Sequence, residues 1–348
     1  MHSLRAGRPR RCTLGTPTGT QVWRWQEWPM TFNDDARLDT SQVSGGRAGG
    51  FRPGGMVLGG GGGCLSIIVL LVVMFLGGGL PGGGGEAPAP APNPQGQESN
   101  PFDASEVAPG GSVSSGDFAK CKTGADANRD VQCRVIGTVN SVQDYWAKEL
   151  PQESAGKQKW QKVKTVLYSG QTQSACGTAS NQVGPFYCPL DKLVYIDADF
   201  FKLLTSQFGA DAGNFAQMYV VAHEYGHALQ DQLGLLDRAQ QDPKGPKSGG
   251  VKIELMADCF AGMWAKDAST TKDANGRTLL KALTQKDIDS ALSAASAVGD
   301  DHIMAKTQGR VSPENFTHGT SQQRRRWFMN GYNAQSVNSC NTFKAGTL

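Results

Sequence analysis

The stretch Gly213 to Leu233, GNFAQMYVVAHEYGHALQDQL, spaces its apolar residues at helical intervals and holds no proline, so it reads as one largely buried helix. Inside it stand His223, Glu224 and His227. On a helix, residues four apart lie one turn above each other, so both imidazoles can reach one metal ion while Glu224 projects beside them toward water as a general base. Two ordinary helix histidines would also satisfy so short a pattern. A second helical pattern, Val251 to Lys266 (VKIELMADCFAGMWAK), sharpens the reading. It carries Glu254 and Asp258, also four apart, so that one face presents both carboxylates. Glu254 would complete three protein ligands and leave a fourth position open, the arrangement of catalytic rather than structural zinc. Its neighbours Ile253, Leu255 and Met256 imply a half-buried setting in which an unpaired carboxylate is costly. Asp258 would then accept the spare N–H of a ligand histidine and fix its tautomer.

Around these helices the chain reads as α+β. Val163 to Tyr168 and Leu193 to Asp197 read as strands, the second as an edge able to pair with an extended peptide. Ala125–Leu150, Thr284–Val298 and Ser321–Gly331 read as helices, the middle one opened by a Thr284-x-x-Asp287 cap. Arg324, Arg325 and Arg326 read as a solvated helix face. An oxyanion needs a donor besides the metal, and His318, in a loop with Gly319, is the best candidate, although a packed loop histidine fits equally well. Tyr225 and Tyr195 are weaker donors, and His302 reads as a surface or helix-end residue.

Six of the eight cysteines fall beyond residue 115. Cys121 with Cys133 and Cys176 with Cys188 each bracket a turn-rich segment, leaving Cys259 and Cys340 as a third pair. Such disulfides belong outside the cytosol; reduced core thiols are the alternative. No Cys-x-x-Cys is present, which argues against a redox protein or a cysteine zinc site. A net charge of +3 without a dense basic stripe excludes a nucleic-acid partner.

Between Arg52 and Glu86 the chain carries no charge, and its centre, Leu65 to Leu76 (LSIIVLLVVMFL), is almost wholly apolar. With glycine-rich flanks it reaches the ~20 residues of a membrane helix. An h-region of a cleaved signal peptide has similar length, but the long preceding segment and the proline-interleaved Ala-x-Ala matches favour an uncleaved anchor. The residues before the span carry eight arginines and four acidic groups, so positive-inside bias places the N-terminus in the cytoplasm. The expected organisation is 1–55, a mostly disordered cytoplasmic segment; 56–80, a transmembrane helix; 81–114, a Gly/Pro-rich linker; and 115–348, the catalytic domain. The expected location is the cytoplasmic membrane, single-pass, with the catalytic domain outside. Residues 1–29, with a basic start and three tryptophans in WRWQEW, differ in character from the segment MTFNDDARLDTSQ that begins at Met30, and translation from Met30 is one expectation for them.

On these residues the chain resembles the neutral zinc metallopeptidase family of bacteria. The resemblance runs from Met30 to Phe343 through LDTSQV (38–43), YCPLDKLVYID (187–197), VVAHEYGHALQ, ELMADCFAGMWA, FTHGTSQQR (316–324) and SCNTF. It departs at SGGRAGG (44–50), where a more charged motif is expected. The helix pair is also similar to the gluzincin arrangement. The resemblance implies a zincin-like domain with one catalytic Zn²⁺, His223, His227 and Glu254 as ligands, Glu224 as base and Asp258 orienting a histidine. Peptide hydrolysis outside the membrane is then the expected activity, with a peptide or protein as substrate. A membrane-tethered zinc-binding scaffold without turnover is the alternative, although such a protein has no need of Glu224.

Overall fold

The computed structural model describes residues 31–46, 113–180 and 183–348. In chain order these form β1 (Val43–Gly45), α1 (Gly124–Arg129), α2 (Val131–Glu153), β2 (Lys164–Tyr168), β3 (Gln171–Ser174), β4 (Gly177–Ser180), β5 (Phe186–Cys188), β6 (Leu193–Asp197) and α3 (Phe200–Ser206). They continue as α4 (Asn214–Gln232), α5 (Asp237–Gln241), α6 (Gly249–Asp267), α7 (Gln285–Ala297), α8 (Asp300–Gln308) and α9 (Ser321–Tyr332). The result is a mixed α+β unit in which helices outnumber strands.

One sheet has the order β1-β2-β6-β5, parallel except for β5, and β3 and β4 form a separate hairpin. The β6 strand, expected at an edge, lies between β2 and β5 because it is buried along nearly its whole length and pairs on both sides. The edge strand at that end is β5.

Helix starts follow from local chemistry. Asp130 accepts from Gln132 N and Cys133 N, dividing the expected Ala125–Leu150 helix into α1 and α2. Thr284 and Thr320 form capping boxes at α7 and α9. Ser248 accepts from Val251 N and starts α6. The α4 and α6 helices run through the core, where Phe215 stacks on Trp264 with ring centroids 5.6 Å apart.

Three disulfides join Cys121 to Cys133, Cys176 to Cys188 and Cys259 to Cys340. The second ties the β3–β4 hairpin to β5 beside a small apolar cluster of Tyr168, Ala179, Val183, Phe186 and Tyr195. The third links α6 to the C-terminal segment across 81 residues.

Residues 31–46, expected within a disordered segment before the anchor, are part of this folded unit and supply its outer strand β1. The expected span 56–80 lies outside the described residues, as does nearly all of the linker. Among the described residues no helix is long and apolar enough to cross a membrane.

Candidate active site

The α4 and α6 helices pack closely enough that a Cβ on Gly226 would stand 3.0 Å from Ala257 Cα and Ala257 O. A glycine between the two histidines therefore lets α6 bring its carboxylates onto the imidazoles. His223, His227 and Glu254 offer ligand atoms that all lie within 4.8 Å of one another. His223 Nε2 is 3.2 Å from Glu254 Oε2, and His227 Nε2 is 3.4 Å from Glu254 Oε1. The imidazole rings stand nearly perpendicular, their centroids 4.8 Å apart.

The nitrogens facing away from this cluster are both engaged. His223 Nδ1 donates to Asp258 Oδ1 at 2.8 Å. His227 Nδ1 donates to Gln230 Oε1 at 2.8 Å, and Gln230 Nε2 donates to Ile253 O on α6 at 2.7 Å. Each ring is thus held with Nε2 toward Glu254, as a pair of metal-binding histidines requires.

Asp258 is fully buried and anchors a larger network. Arg324 Nε donates to Asp258 Oδ2 at 2.8 Å and Arg324 Nη2 to Oδ1 at 2.9 Å, while Tyr219 Oη donates to Oδ1. Arg324 Nη1 reaches Val298 O at 3.1 Å, so the guanidinium ties α9 to the end of α7 as well as to α6. The expectation of three solvated arginines therefore holds for Arg325 and Arg326 and fails for Arg324, which is 3% exposed. Arg324 precedes the buried Trp327 and Phe328 by three and four residues, which puts it on the inner face of α9.

Burial disfavours charge on the His223 ring, but Asp258 and Glu254 outweigh it and push the imidazole up to about 9. Burial likewise opposes ionisation of Glu254, and the facing histidines keep it well below the usual carboxylate range. Asp258 is lowered against its burial by Arg324 and His223.

Glu224 is buried beside the ligand set, and burial pushes its carboxyl above the usual range. Its Oε2 and His227 Nε2 are buried without a hydrogen-bond partner, a combination that costs free energy unless another group engages them. His₂Glu with both outer nitrogens fixed is a donor set that suits zinc, and His227 Nε2, which makes no hydrogen bond, aims into it 3.4 Å from Glu254 Oε1.

His318 lies against Asp300, the first residue of α8. Asp300 Oδ2 accepts from Thr317 N at 2.6 Å, His318 N at 2.7 Å and Gly319 N at 3.0 Å, and His318 Nδ1 is 3.1 Å from Asp300 Oδ1. Gly319 takes φ 86°, which lets the loop turn back around that carboxylate. His318 is raised above its ordinary range because Asp300 and Glu254 outweigh its burial.

Other expected donors point elsewhere. Tyr225 Oη pairs with Thr165 Oγ1 at 3.0 Å and donates to Val163 O at 3.1 Å; Tyr195 Oη donates to Asp191 at 2.8 Å. His302, read as a surface or helix-end residue, lies in the first turn of α8, half-buried, and donates through Nε2 to Phe208 O at 2.8 Å.

A family model described as "Putative neutral zinc metallopeptidase" matches residues 23–343. Uncharacterized protein Rv2575 of Mycobacterium tuberculosis is 51% identical over 233 residues, covering 67% of this chain and 77% of the relative. Uncharacterized protein YpfJ of Escherichia coli K12 is 40% identical over 208 residues, covering 58% of this chain and 68% of the relative. No solved structure matches.

Proposed function

The chain belongs to this zinc metallopeptidase family, and from that premise we propose that it hydrolyses peptide bonds, with His223, His227 and Glu254 holding one zinc ion and Glu224 as general base. The observation that carries the reading is Glu224 Oε2, buried and without a hydrogen-bond partner next to three converging ligand atoms. When bound there, zinc supplies a Lewis acid and brings the ionisation of water toward neutral pH.

The protein's own groups divide the remaining work. Glu224 accepts the proton of the attacking water and returns it to the leaving amine. A carboxyl raised by burial suits a group that must do both. Asp258 and Gln230 hold the two imidazoles in the tautomer that presents Nε2 to the metal. His318, with Nδ1 engaged by Asp300, has Nε2 left to donate to the carbonyl oxygen as negative charge develops on it. The disulfides support a substrate, peptide or protein, on the oxidising side of the membrane.

Incubation of the purified full-length protein with a mixed peptide library, read by mass spectrometry, tests the reading. Cleavage that a chelator abolishes and zinc restores is the expected result. One bound zinc with an untouched library would instead make the chain a zinc-binding scaffold.

A further inference from the structure

Residues 31–46 precede the apolar run Leu65–Leu76 in the chain, yet they are built into the same unit as the site helices. The β1 strand lies parallel to β2 in register from Val43 on Thr165 to Gly45 on Leu167, and Gly46 N donates to Leu167 O at 2.9 Å. Two asparagines of the domain clamp this arm in one manner. The Asn128 amide accepts from Phe32 N at 2.9 Å and donates to Phe32 O at 3.0 Å. The Asn140 amide accepts from Asp39 N at 2.8 Å and donates to Asp39 O at 2.9 Å. Each side chain stands in for the peptide group of a neighbouring strand and satisfies both main-chain groups of one arm residue.

The other flank of the arm is bonded too, Asn33 N to Leu279 O at 2.9 Å and Lys281 N to Thr31 O at 2.9 Å. Phe32 is fully buried. The helices beneath it carry glycine where it needs room: a Cβ on Gly137 would stand 2.6 Å from the Phe32 ring, and one on Gly124 would stand 1.9 Å from Asn33 O. The domain thus has a socket whose composition matches the arm.

The chain leaves this socket and returns to it at one place, since a Cβ on Gly45 would lie 2.1 Å from Val113 O. A segment that crosses a bilayer once leaves its flanks on opposite sides, and strands that share hydrogen bonds cannot be so divided. Two crossings would need two runs of about 20 residues, whereas Arg52 to Glu86 holds a single strongly apolar run. We propose that the arm 31–46 and the catalytic domain occupy the same side of the membrane. This replaces the expected arrangement with the N-terminus inside and the domain outside. The three disulfides make the shared side the oxidising one.

The test uses the full chain with Cys12 and Cys64 replaced by serine, produced in bacterial cells. A membrane-impermeant maleimide is applied to intact spheroplasts carrying Ser41→Cys in the arm or Lys159→Cys in the domain, both exposed positions. Detergent-lysed cells define full labelling. Equal labelled fractions at the two positions, close to the lysed level, are expected. Labelling of Lys159→Cys in intact spheroplasts with Ser41→Cys reacting only after lysis would put the arm across the membrane and overturn the proposal. Arg37 and Thr123 form an antiparallel bridge flanked by Leu38 N to Lys122 O and Gly124 N to Ala36 O, the non-hydrogen-bonded pairing in which Cα atoms come closest. Arg37→Cys with Thr123→Cys should therefore form an intramolecular cross-link in the same spheroplasts. Failure of that cross-link would equally overturn docking of the arm.

Discussion

Arg324 closes on both oxygens of Asp258, at 2.8 and 2.9 Å, and the same carboxylate takes the outer N–H of His223 at 2.8 Å. A guanidinium on α9 thereby fixes the orientation of an imidazole on α4 through a carboxylate on α6.

Loss of that guanidinium has two consequences. Arg324→Met leaves Asp258 buried without its cationic partner, which costs on the order of 3–5 kcal/mol in a buried pair. Because Asp258 also orients His223, zinc affinity should fall by about 10–100-fold. Urea unfolding and a competitive zinc titration read the two effects separately. Unchanged zinc affinity in a folded variant would mean that Arg324 serves packing alone.

Gln230 carries a narrower role. Its amide bridges His227 Nδ1 and Ile253 O, so Gln230→Ala should weaken zinc binding by about 10–100-fold with a smaller loss of stability than at Arg324. A zinc titration in which Gln230→Ala matches wild type would show that His227 needs no fixed tautomer.

These residues mark where the sequence stops being legible. The site helices were readable because the i,i+4 spacing of His223 with His227 and of Glu254 with Asp258 is local, as is the Thr284 cap. The spacing of the cysteines pointed to the three pairings that the structure has. Gln230 lies only three residues from His227 and could have been found from helical geometry. Arg324 was hidden in a run of three arginines, where charge pattern outweighed the periodicity of Trp327 and Phe328. Asp300 and the arm had no local signal. The Asp300 partners lie about one helix and one loop away in sequence, at Thr317 to Gly319, and β1 pairs with a strand more than a hundred residues on, at Thr165 to Leu167.

Asp197 predicts a pH dependence remote from the ligands. It is fully buried, its Oδ2 has no hydrogen-bond partner, and burial pushes its carboxyl up to about 7 against the bond from Asp199 N. The folded state therefore binds more protons than the unfolded one between about pH 4 and 7, so this group lowers stability as pH rises through that window. Asp197→Asn should stabilise the protein by on the order of a few kcal/mol at pH 8 and by little at pH 4. Denaturation at the two pH values checks it; the same difference at both would sink the assignment.

The disulfides should differ in weight. Cys259–Cys340 closes a loop across 81 residues and Cys121–Cys133 one across 12. Loop entropy makes their removal cost about 4–5 and about 3 kcal/mol respectively. Paired Cys→Ser variants compared by thermal unfolding should rank in that order, and a reversed ranking would assign the stabilisation to local packing.

The central claim is that Glu224 acts as base at a metal held by His223, His227 and Glu254. The most direct test is zinc content and peptide turnover measured side by side in wild type, Glu224→Gln and Glu254→Ala. One zinc per chain in wild type and in Glu224→Gln is expected, with turnover lost by at least about 100-fold in Glu224→Gln and zinc affinity itself reduced in Glu254→Ala. A Glu224→Gln protein that cleaves like wild type, or a Glu254→Ala protein that holds zinc as tightly, would contradict the assignment.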